Sequence, residues 1–174
     1  LLPIHARNYS GKEYNNMMTN IRKCIELIFI SMAENGLLPN KKNNGKYVFH
    51  DILVDSKGGI NTTWCSLILS GKEVKVGDKI RIESTNILPN VLKDSFQRLK
   101  EISAAYEHTV NKNANEQQQK NSRQTPEFLE SLGNPPYLLQ SMTLELCNII
   151  LWYANYLEEH DDEELNALNW NIIQ

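Results

Sequence analysis

Eighteen consecutive apolar side chains occur nowhere in these 174 residues, so the sequence offers no membrane-spanning helix. Cysteine is scarce: Cys24, Cys65 and Cys147 are an odd number, and no two stand at metal-ligand spacing. That argues against a disulfide framework and a zinc site, and points to a reducing, cytoplasmic setting. Also missing are a glycine-rich phosphate cradle, a nucleophile elbow and paired carboxylates at catalytic spacing, so no cofactor and no metal is expected. Lysine and arginine stop altogether after Arg123. The first 124 residues therefore hold 18 basic and 12 acidic groups, a balance of +6, and the last 50 carry −9. Such a division suits either a basic surface for RNA or DNA with an acidic tail, or two solvated faces of opposite sign. The chain begins Leu1-Leu2-Pro3, without methionine or a leader, and is read as a fragment of a longer protein.

What the sequence has is apolar content, 41%, enough for one soluble domain over residues 1–174, and its spacing is mostly helical. Tyr14, Met17, Met18, Ile21, Cys24, Ile25, Ile28, Phe29 and Met32 recur at three- and four-residue steps and predict a helix over 13–34, stopped by Asn35-Gly36. Leu88, Val91, Leu92, Phe96, Leu99, Ile102 and Tyr106 predict a second over 87–108, with Asn86 as its cap and Pro89 in its first turn. A long closing helix is expected over 137–159, its face made of Leu138, Leu139, Met142, Leu146, Ile149, Ile150, Tyr153 and Leu157. Cys24 and Cys147 fall on these faces as small hydrophobes. A short helix over 126–132 is also expected, with a loop over 111–124, where four Asn and four Gln bury too little to offset ordering.

Between the first two helices the period changes to two. After a polar loop over Asn40–Gly45, strands are expected at Tyr47–Val54, Thr62–Ser70 and Val74–Glu83, with turns at Ser56-Lys57-Gly58-Gly59, Ser70-Gly71 and Gly77-Asp78. The fold class is therefore α+β, mainly α: a helical bundle with a small antiparallel sheet of three or four strands over about 46–83. Leu165, Leu168, Trp170, Ile172 and Ile173 form a terminal apolar patch, either a small closing helix or a seat for a missing segment.

Three tracts, Tyr9–Tyr14 leading into Asn20–Glu26, Leu99–His108, and the helix around Trp152, resemble the HEPN superfamily of small helical domains in prokaryotic defence and toxin proteins. The resemblance implies an antiparallel helical bundle and, in catalytic members, a metal-independent ribonuclease whose histidine moves a proton while an arginine, separated from it by four to six intervening residues, holds the phosphate. His108 takes the histidine position. Ser103, Ile102 and Glu101 stand where the arginine would be, and Arg98 lies nine intervening residues away. The resemblance thus implies a non-catalytic interaction module of a larger, defence-related protein, with the ribonuclease as its rival.

Several residues could carry these roles. Arg22 and Glu26, four apart on the first helix, form an ion pair that could serve a homodimer or a contact with the parent protein, and Trp152 joins them as an interface candidate. His108 is the candidate catalytic residue, with a surface histidine at a helix C-terminus as the competing reading. Lys72, Lys75, Lys79 and Arg81 share one hairpin and could contact nucleic-acid phosphates, although lysine alternating with valine and isoleucine also protects a sheet edge. His50 and Asp51 would point to opposite faces of a strand and so could not act together.

Overall fold

The structure is a computed structural model that describes residues 11–56, 58–110, 136–161, 164–165 and 170–173, with backbone alone at 11–12, 104–110 and 136. It is α+β and mainly helical. In chain order come α1 (Gly11–Glu34), β1 (Asn40–Asn43), β2 (Lys46–Phe49), a 3-10 turn (Asp51–Leu53), α2 (Thr62–Leu69), β3 (Val74–Val76), β4 (Ile80–Ser84), α3 (Asn90–Val110), α4 (Pro136–Glu159) and β5 (Trp170–Ile173). The segments expected as a loop over 111–124 and a helix over 126–132 lie outside the described residues.

The three long helices make the core. α1 buries Tyr14, Met18, Ile21, Ile25, Phe29 and Met32, and α3 brings Leu92, Phe96 and Leu99 against them. Phe29 and Phe96 stack with centroids 4.9 Å apart and planes at 22°, an offset arrangement that adds to their burial. α4 packs on both helices through Leu139, Met142, Leu146, Ile149 and Tyr153. α1 ends in a Schellman motif: Gly36 has φ +82°, its N–H donates to Ala33 O at 3.1 Å, and Leu37 N–H donates to Met32 O at 2.8 Å.

That helix end is also where the chain's last elements attach. The Tyr153 hydroxyl lies 3.0 Å from Ser31 Oγ and accepts from Asn35 Nδ2 at 3.0 Å. Burial raises the Tyr153 hydroxyl's pKa, the bonds from Ser31 and Asn35 oppose this, and Glu34 adds to the rise. The Trp170 indole N–H donates to Gly36 O at 3.0 Å, fixing the start of β5.

Four expectations are corrected. First, Thr62–Ser70 is a helix rather than a strand. Asn61 caps it, accepting from Trp64 N–H at 3.1 Å, and Ser66 and Ser70 donate their hydroxyls to the carbonyls four residues back. Second, the strands form two sheets rather than one. The first four residues of the Asn40–Gly45 loop are strand, because Asn44 (φ +49°) and Gly45 (φ +81°) make the two-residue turn of a β1–β2 hairpin. Third, the terminal apolar patch becomes β5, which pairs with β4 from Arg81↔Ile173 to Ser84↔Trp170 and gives a sheet of order β3-β4-β5. Fourth, Asn86 does not cap α3. It bridges to Ser70, and the helix opens at Asn90 after Pro89, whose carbonyl accepts from Leu92 and Lys93.

Candidate functional site

A cavity of about 250 Å³ opens where α1, the Asp55–Asn61 turn, the start of α2 and α3 meet. Its lining is Arg22 and Ile25 from α1, Asp55, Ile60 and Asn61 from the turn, Thr62 and Thr63 from α2, and Lys100 from α3. Each residue is there for a local reason. Asp55 Oδ1 accepts from Gly59 N–H at 2.9 Å and closes the turn, whose strand-like ends meet in the Val54↔Ile60 bridge. Arg22 Nε donates to Glu26 Oε1 at 3.3 Å, one helical turn further along. Lys100 Nζ donates to the Thr63 hydroxyl. Burial holds the Lys100 ammonium below its ordinary titration range; Glu101 opposes that and Arg22 adds to it. Two cations, a carboxylate, two hydroxyls and two isoleucines thus converge from parts of the chain up to 78 residues apart, and only Arg22 among them was marked by the sequence.

The other sequence candidates are scattered. His108 stands in the last turn of α3, and its side chain is outside the described atoms. Ten residues at 1.5 Å each separate it from Arg98 by about 15 Å along the axis. Arg98 is otherwise engaged: its Nη2 and Nε donate to the two carboxylate oxygens of Glu145 on α4, at 2.6 and 3.0 Å, a bidentate clamp between helices. His50 Nδ1 accepts from Ile52 N–H at 3.1 Å and caps the 3-10 turn, while Asp51 pairs with Lys41, whose hydrogen bond and charge hold its carboxyl below the usual carboxylate range.

On the β3–β4 hairpin, Lys72, Lys75, Lys79 and Arg81 are all exposed. Glu73 reaches Lys75 at 3.8 Å and Arg81 at 3.6 Å, and Asp78 and Glu83 lie on the same hairpin. Four positive and three negative side chains give a net of one, too little for an affinity resting on phosphate neutralisation. β4 is the centre of its sheet, so edge protection belongs to β3 and its flanks.

The interface candidates also separate. Arg22 and Glu26 sit at the cavity. Trp152 is half-buried, packs against the core and leans on Tyr156 with centroids 5.7 Å apart. The outward face of α4 is the unexpected one. Tyr137 (77% exposed), Leu144 (58%) and Leu151 (61%) stand seven residues apart, with exposed Cys147 between the two leucines and exposed Ala154 three residues beyond Leu151. Ile150 and Cys147, expected in the core, are on the outside. Cys65 is the buried cysteine, and burial pushes its thiol pKa up. From Pro136 to Leu157 the only charged residue is Glu145, held by Arg98.

No family model, curated protein or solved structure matches the chain. Among the described residues no helix is long and apolar enough to cross a membrane, and no cluster of three or more His, Cys, Asp or Glu could hold a metal ion.

Proposed function

We propose that this chain is a non-catalytic self-association module of a larger protein, two copies pairing through α4. The observation that carries the reading is the stripe Tyr137–Leu144–Leu151, solvent-facing and opposite the face that α4 already spends on the core. A helix with large apolar residues on both sides has one partner too few, and the outer face carries no charge, only the neutral polar side chains Ser141, Thr143, Asn148 and Asn155 around its exposed leucines. Residues seven apart, with small residues between them, are the spacing of a helix–helix seam. A second copy offers the same stripe, and a two-fold axis through it lets each leucine meet its counterpart's neighbourhood. The wider setting, a prokaryotic defence protein with HEPN-like helices, rests on the sequence resemblance alone.

Leu144→Glu together with Leu151→Glu is expected to convert a dimer into the 20.0 kDa monomer while leaving the circular dichroism spectrum unchanged, because both side chains already face water. A variant that keeps the native protein's mass at every concentration would remove α4 from the contact. The rival readings make different demands: a ribonuclease requires RNA cleavage that His108→Ala abolishes, and a nucleic-acid module requires affinity that falls steeply with salt.

A further inference from the structure

The cavity between α1, α2 and α3 has no part in that pairing, and its donor set resembles a receptor more than a packing defect. Packing defects are apolar; this space is lined by Arg22, Lys100, Thr62, Thr63, Asn61 and Asp55, with Ile25 and Ile60 as apolar wall.

We infer that the cavity binds a small phosphorylated polyol, with the phosphoryl group between Arg22 and Lys100 and a hydroxyl of the ligand on Asp55. The two cations enter from different helices, so an anion between them is met from two sides. Thr62 and Thr63 add hydroxyls in the first turn of α2, where the backbone amides carry partial positive charge. A phosphoryl group has enough oxygens to accept from donors arriving in several directions. Asp55 decides the rest of the ligand. Asp55 already accepts from Gly59 N–H; its carboxylate disfavours a bare anion in the same space, and a ligand that carries hydroxyl groups beside its phosphoryl group offers it donors. Among the described residues, the charged groups named around the space are Arg22 and Glu26 on α1, Asp55 on the turn, and Lys100 and Glu101 on α3. Arg22 and burial both disfavour the Lys100 ammonium, and a bound phosphoryl group reverses that balance, raising the lysine's titration point.

The test titrates inorganic phosphate and glycerol 3-phosphate separately into the full chain by calorimetry, and follows the Lys100 side-chain signal by NMR. Glycerol 3-phosphate is expected to bind more tightly than inorganic phosphate. Lys100→Met should weaken both by about tenfold or more, the loss expected for a charge-assisted bond, and Lys100→Arg should restore most of it. Asp55→Asn keeps the oxygen that closes the turn but loses the charge. It should tighten inorganic phosphate and abolish the preference for the polyol. Unchanged circular dichroism guards each variant against misfolding. Absence of binding to the native chain at millimolar ligand, binding that survives Lys100→Met, or inorganic phosphate weakened by Asp55→Asn would each overturn the inference.

Discussion

Phe96→Ala is expected to lower the unfolding free energy by about 3–5 kcal/mol, the range for deleting a fully buried aromatic ring. Phe96 is 1% exposed and Phe29, its stacking partner on α1, is 0% exposed. The α1–α3 contact is the most extensive between any two helices described, and this ring pair lies within it. Removing one ring leaves a cavity walled by two long helices, each held by other neighbours, and such walls relax little. Urea unfolding at one fixed protein concentration checks the loss, since self-association would otherwise make stability depend on concentration. Phe96→Leu, which refills most of the volume, should lose clearly less. Equal losses in the two variants would mean that the ring stack, rather than the filled volume, carries the effect.

Gly71→Ala is expected to cost about 2–4 kcal/mol, from backbone strain and a steric clash together. At φ +67° a side chain is strained in any surroundings, and a Cβ there would sit 2.7 Å from Asn86 N and 3.0 Å from Asn86 Cα. Backbone cannot swing aside as a side chain can. Leu69 O accepts from Ile87 and Leu88 N–H at 3.0 and 2.9 Å beside this point, and the Ser70↔Asn86 bridge crosses it. The close approach thus joins the end of α2 to the segment leading into α3. Gly77→Ala is the control. It has nearly the same φ, +64°, with nothing within 4 Å of the added carbon, so it should show the strain alone, about 1 kcal/mol. If the two variants melted together, the clash would be contributing nothing.

The long helices were legible because their apolar residues keep a helical period over more than twenty positions, a length at which no strand competes. α2 was misread for the converse reason. Thr62-Thr63-Trp64-Cys65-Ser66-Leu67-Ile68-Leu69 is a continuous, β-favouring run of eight residues, and its period cannot separate buried strand from buried helix. The signal that would have decided it is Asn61, a capping residue whose side-chain oxygen accepts from the backbone amide of Trp64 three residues on. Asn44-Gly45 was a readable hairpin turn hidden by the polarity of β1, of which Lys41, Lys42 and Asn43 are exposed and Asn40 donates to Ala33 O at 2.8 Å.

The cavity was beyond any local pattern. Arg22 and Lys100 become neighbours only when α1 and α3 pack, and Asp55 only when a turn folds back on them. The outer stripe of α4 was within reach. Assigning Ile150 to the core face obscured the simpler observation that one charged residue serves the 22 residues from Pro136 to Leu157. A helix with so little charge and with Tyr137, Leu144 and Leu151 exposed carries more apolar surface than its own core face uses.

Self-association through α4 is the central claim, and the mass of the chain in solution across a dilution series tests it most directly, with the Leu144→Glu, Leu151→Glu variant run in parallel. A dimer that dissociates on dilution, beside a variant that stays monomeric at every concentration, is the result expected. A native chain that remains a 20.0 kDa monomer at the highest concentration would contradict the claim and assign the α4 stripe to a different occupant.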